Sequence, residues 1–153
     1  MPIKDMQIDK FTDYALRILM ALAVTDQEKL PTSAIAKTYG LSEHHLSKVA
    51  AKLTQCGFVT SDRGRGGGLS LARPAQMISV GAVVRAIKGD DPVVECFGTA
   101  STCRILPACG LRDPLRAAQE AFFAALDPYS LAEVTQQKLA LAGLLDPLMS
   151  ANA

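Results

Sequence analysis

Three of the four cysteines, Cys96, Cys103 and Cys109, fall within fourteen residues, while Cys56 stands alone. The N-terminus carries Asp5 and Asp9 beside its lysines and has no signal-peptide pattern. In that setting a metal or redox site is favoured over a structural disulfide framework. The spacing Cys96-x6-Cys103-x5-Cys109 lacks the paired C-x2-C knuckles of common zinc modules. Three thiolates leave one position open on zinc, or on one iron of a cluster. A buried thiol set or a reversible disulfide switch is the alternative. Cys56 lies beside apolar residues and reads as a small core residue.

A second group is Arg63-Gly64-Arg65-Gly66-Gly67-Gly68. It is not a Walker A loop, because no Gly-Lys-Ser/Thr follows, and it fails G-x-G-x-x-G. Two arginines at the tip of a glycine turn suit a narrow, electronegative minor groove. A third group is Ser42, Glu43, His44, His45, Ser47 and Lys48. On a helix anchored by Leu46, Val49 and Leu53 these face outward near the N-terminus, where recognition helices meet base edges and phosphates. His44 and His45 point about 100° apart on a helix, so DNA contact is favoured over a shared metal.

Along the chain, Phe11, Ala15, Ile18, Leu19 and Leu22 give a first helix over 11–24. A second begins near Thr32 after Pro31 and stops at Gly40, with Ile35 and Ala36 inward. Ser42 caps a third, which Gly57 closes. Phe58–Ser61 and Leu69–Ala72 read as short strands around the glycine turn. Helix, helix, helix, strand, turn, strand is the order of a winged helix-turn-helix. A fourth helix runs from Ser79 to Lys88, and the cysteine segment from Pro92 to Cys109 reads as a loop. Beyond it Leu111, Leu115, Ala118, Phe122 and Ala125/Leu126 form a narrow stripe suited to pairing with another helix. The tail from Ser130 predicts one or two short helices broken by Asp146-Pro147.

These elements divide the chain into a DNA-binding region (1–89), a cysteine loop (90–110) and a dimerisation helix with tail (111–153). Net charge is only +1, but residues 1–89 hold twelve Lys/Arg against seven Asp/Glu, and residues 90–153 hold four against eight. A basic front and an acidic back point to a polyanion-binding first part. With 49% apolar residues the 153-residue chain is globular, not disordered. Its longest apolar run, Ile18 to Val24, falls far short of the roughly 20 residues that span a bilayer. The expectation is a soluble, cytoplasmic, mainly α protein with no membrane partner.

Together Phe11-Thr-Asp-Tyr-Ala-Leu-Arg17, Ser42-x-x-His-Leu-x-Lys48, Arg63–Gly68 and the cysteines before the long helix resemble one family. It is that of the iron–sulfur-cluster winged-helix transcriptional regulators, the group of IscR, RirA and NsrR, and the likeness covers residues 6–145. The resemblance implies a homodimer that binds double-stranded operator DNA and is not an enzyme. It makes Cys96, Cys103 and Cys109 cluster ligands. The IscR type supplies a histidine three residues after the last cysteine; here Arg112 stands there, and arginine cannot ligate a metal. The nitric-oxide-sensing type shares the Phe-Thr-Asp opening, which makes Asp13 the fourth ligand of a 4Fe–4S cluster across the dimer, with 2Fe–2S still open. Asp13 lies off the apolar face of its helix, free to reach a partner.

The implied activity is repression of transcription relieved by nitric oxide. Six residues between Cys96 and Cys103 are one more than usual for that type and occur in RirA-like proteins, so an iron-responsive repressor is the alternative. A constitutive DNA-binding protein with a structural zinc site is a further one. A ferredoxin-like carrier or thiol oxidoreductase is disfavoured, because no C-x-x-C occurs.

Overall fold

The computed structural model describes residues 8–89 and 102–149, with side chains as far as residue 145. Helix α1 spans Lys10–Val24 and is capped by Asp9. The Asp9 carboxylate accepts hydrogen bonds from both the backbone N–H and the hydroxyl of Thr12, each at 2.9 Å. That satisfies Thr12 completely and lets it sit fully buried, in line with Ala15 and Leu19. Phe11, one position and about 100° round the helix, is left exposed, contrary to the expected apolar face.

Helix α2 (Thr32–Tyr39) stops at Gly40, whose φ of 64° is the left-handed conformation glycine adopts without strain. Two residues later Ser42 caps α3 (Glu43–Gln55). Leu46, Val49 and Leu53 anchor α3 in the core with Ile18, Leu19 and Ile35. Strands β1 (Val59–Asp62) and β2 (Gly68–Leu71) pair antiparallel, with Val59 opposite Leu71 and Asp62 opposite Gly68. Leu30, in the link between α1 and α2, adds a bridge to Leu69 through bonds of 2.9 and 2.8 Å. A Cβ on Gly68 would meet the Leu30 carbonyl at 2.8 Å, so this close approach requires glycine.

Helix α4 (Val80–Lys88) is capped by Ser79, and α5 (Arg112–Leu126) returns antiparallel to it. The open end of this hairpin is tied by Val80 N–H to the Tyr129 carbonyl and by Leu131 N–H to the Ile78 carbonyl, both 2.8 Å. The residues leading from α4 to α5 include all three clustered cysteines. Phe123 is the buried side chain of α5 and lies beneath the Arg85 guanidinium. Leu111 and Ala118 of the expected stripe are exposed, and Leu115 and Phe122 half-buried. A capping box between Ser130 and Glu133 starts α6 (Leu131–Val134), and α7 (Lys138–Met149) packs on α1 and α2. Helix α7 runs through Asp146-Pro147, correcting the expected break: a proline this close to a helix end removes one hydrogen bond without ending the helix. No helix among the described residues is long and apolar enough to cross a membrane.

Candidate nucleic-acid interface and cluster site

Ser42, Glu43, His44, His45, Ser47 and Lys48 are all exposed, while Leu46 among them and Val49 just beyond are buried. The first turns of α3 therefore present a continuous polar surface. Ser42 accepts the His45 backbone N–H at 3.5 Å, leaving both imidazoles outside the cap. Their ring centres lie 6.2 Å apart and tilted by 45°.

The wing is a glycine turn closed by Gly67 N–H on the Gly64 carbonyl at 3.0 Å. Gly64 and Gly66 take φ of 91° and 76°, and a Cβ on Gly67 would fall 2.3 Å from the Asp62 carbonyl. Positions 64, 66 and 67 thus each call for glycine, and the tip projects Arg63 and Arg65 into solvent. Neither arginine is in an ion pair among the described residues. At the wing root Asp62 pairs with Lys29, which holds the lysine above its ordinary range. Arg73 donates to the Gly57 carbonyl at 3.0 Å and covers the Phe58 ring, fixing the turn from α3 into the wing. Pattern reading missed Lys29 and Arg73, since their partners lie 33 and 16 residues away.

Cys103 is exposed and Cys109 half-buried at the end of a 3-10 turn, Leu106–Ala108. Leu106 N–H bonds the Cys103 carbonyl at 3.3 Å, so the two cysteines bracket a compact turn. None of the described cysteines is in a disulfide. Cys56 caps α3 and packs against the core, as expected of a structural thiol. Cys96 lies outside the described residues. Asp13, in the first turn of α1, is half-exposed beside a shallow groove lined by Ile8, Lys10, Tyr14, Arg17 and Leu41. Its carboxylate pairs with Arg17 at 3.1 Å, and Arg17 lies over the Tyr39 ring. Among the described residues Asp13, Cys103 and Cys109 do not converge within one chain.

Two links that the sequence did not reveal connect these parts. Lys88, the last residue of α4, pairs with Asp9 at 2.9 Å. Burial works to raise the Asp9 pKa, but the Thr12 N–H and Lys88 outweigh it and hold the carboxyl below its ordinary range. Arg85 reaches Glu120 at 2.7 Å and Asp127 at 2.8 Å while lying over Phe123. Its guanidinium keeps both carboxyls below their ordinary ranges.

The chemistry of the donor set fits a thiolate-held iron centre. Cys103 is open to solvent, and Arg112, the first residue of α5, keeps its Nε buried with no hydrogen-bond acceptor among the described residues. That donor suits an anionic group nearby.

The family model described as Rrf2, iron-dependent transcriptional regulator, matches residues 8–137. Among curated proteins, the chain is 42% identical to the HTH-type transcriptional regulator NsrR of Geobacillus kaustophilus, over 92% of this chain and 97% of that one. It is 44% identical to the HTH-type transcriptional repressor NsrR of Streptomyces coelicolor, over 84% of this chain and 88% of that one. Among solved structures, CymR, the global cysteine regulator of B. subtilis, superposes with a TM-score of 0.62 at 26% identity, covering 86% and 98% of the two chains. IscR of T. potens gives 0.67 at 23% identity over 87% and 88%, a likeness of fold.

Proposed function

Because the chain belongs to the Rrf2 family of transcriptional regulators, we propose that it is a DNA-binding repressor that senses nitric oxide through a 4Fe–4S cluster. It acts as a homodimer. Cys96, Cys103 and Cys109 of one protomer and Asp13 of the partner subunit hold the cluster. The observation that carries this reading is the division of labour within one chain. An exposed helix end and an unpaired arginine wing sit on one hairpin-bearing body, and the cysteines sit in the connection between α4 and α5.

The wing and α3 do complementary work. Arg63 and Arg65 enter a minor groove, Lys48 and the α3 N-terminus hold phosphate, and Ser42, His44 and His45 meet base edges. The part-exposed stripe of α5, with Leu111, Leu115, Ala118 and Phe122, pairs with the same stripe of a second copy. That pairing lets Asp13 reach cysteines it does not meet in its own chain. When bound, the cluster supplies iron that reacts with nitric oxide. Cys96, Cys103 and Cys109 with Asp13 of the partner subunit would hold the cluster, tying the chain between α4 and α5 to α1 of the other protomer, so that the spacing of the two recognition helices would depend on whether these residues hold the group.

The test is anaerobic purification followed by titration with nitric oxide. The protein is expected brown, with equivalent iron and sulfide, and its binding to duplex DNA selected from a random pool by the loaded protein is expected to fall as nitric oxide is added. A colourless, zinc-containing protein that binds DNA regardless of nitric oxide would refute the reading. The six-residue spacing between Cys96 and Cys103 favours a second reading, iron responsiveness. On that reading DNA binding follows iron supply and is indifferent to nitric oxide.

A further inference from the structure

We propose that Arg112 is a hydrogen-bond donor to the cluster, its buried Nε–H directed at a sulfur of the site that Cys109 helps to hold. The proposal rests on the cluster reading above and assigns a role to a residue that cannot itself be a ligand.

Arg112 begins α5 three residues after Cys109. The chain between them limits their Cα separation to about 11 Å, within reach of a side chain as long as arginine. Its Nε is shielded from solvent and has no acceptor among the described residues. Native structures leave few buried donors unsatisfied, so an unmet N–H marks the place of an acceptor. Arginine is always charged and donor-only, which restricts that acceptor to an anionic or electron-rich atom. Thiolate and sulfide sulfurs of a cluster are such atoms, and three thiolates with one carboxylate make the whole group anionic.

A second feature acts in the same direction. Leu111, at the N-cap of α5, offers no side-chain cap, and Pro114 occupies the first turn. The first backbone N–H groups of α5 are therefore not met by a capping side chain, and the positive end of the helix dipole lies just past Cys109. Arg104, the arginine between Cys103 and Cys109, is exposed and serves as a control.

Hydrogen bonds to cluster sulfurs raise the reduction potential, because they stabilise the added negative charge. Arg112→Gln is expected to keep its cluster, since no ligand is removed, and to lower the one-electron reduction constant about tenfold, or about 59 mV. Arg112→Lys keeps the charge but not the planar donor, and is expected to fall between. Arg104→Gln is expected to leave the potential unchanged within about threefold, since its charge is screened by water. The second measurement uses the unaltered protein labelled with 15N-arginine. Its reduced cluster is expected to show a 15N hyperfine coupling that is lost with unlabelled arginine. A wild-type potential in Arg112→Gln overturns the proposal, as does the absence of 15N coupling in the labelled protein, which also decides the matter should that variant fail to fold. A wild-type protein without iron and sulfide overturns the cluster reading itself, and so is distinct from either result.

Discussion

Lys88 Nζ lies 2.9 Å from Asp9 Oδ2, joining the last residue of α4 to the cap of α1. The pair fastens the C-terminal end of α4 to the helix that carries Asp13.

Asp9→Ala removes a cap and an ion pair together, and is expected to destabilise the protein by about 1 kcal/mol through the cap. Asp9→Asn keeps a capping oxygen and should lose less. Urea midpoints at unchanged slope would register the difference. Because the folded pKa of Asp9 is depressed, its stabilisation is complete above the ordinary value of 3.8. It fades as pH falls below that value toward the folded pKa. Asp9→Ala should show no such acid-side loss, and an identical acid profile would contradict the assignment.

The Arg85 clamp should not tolerate lysine. Arginine spans Glu120 and Asp127 at once with a rigid fork, whereas an ammonium serves one point. Hydrogen exchange in α5 is expected to rise in Arg85→Ala and to stay raised in Arg85→Lys. Gly81→Ala strikes the same joint from the other side, since its Cβ would meet Asp127 Oδ1 at 2.1 Å and its backbone N at 2.5 Å. Overpacking of this kind costs about 1–3 kcal/mol. A Gly81→Ala protein as stable as the parent would show that the α4–α5 joint is looser than described.

At the DNA surface, Arg65→Ala and Lys48→Ala are each expected to reduce the salt dependence of binding by about one unit of slope. Iron and sulfide content should be unchanged. Gly67→Ala should weaken binding without removing any charge, because its Cβ would fall 2.3 Å from the Asp62 carbonyl and the turn must open. Unaltered binding by Arg65→Ala at every salt concentration would rule out a wing contact.

The ligand set separates the cysteines. Cys96→Ala, Cys103→Ala and Cys109→Ala are each expected to lose the visible absorbance, whereas Cys56→Ala, packed against the core, retains it. Mixing Asp13→Ala with Cys103→Ala chains tests geometry. Ligation across subunits gives purified heterodimers one complete site and one lacking both residues. Heterodimers with no wild-type-like site would exclude Asp13 as the partner's ligand.

Much of the fold was legible because it is decided within a few residues. Ser42 and Ser79 bond backbone N–H groups three positions on, Gly40 turns where only a short φ range is needed, and the wing glycines respond to their immediate neighbours. The exposure of Ser42, His44, His45 and Lys48 followed from the same periodicity that buried Leu46 and Val49. Only the tertiary structure decided that Leu30 would join the wing, that Thr12 would be buried in place of Phe11, that α5 would turn Phe123 inward, and that Arg85 would meet partners 35 and 42 residues away. Helical period places a side chain to within about one position, and one position is about 100° of rotation. Which of two neighbours faces inward is then set by the element packed against them, and pairs such as Lys88 with Asp9 exist only once both helices are in place.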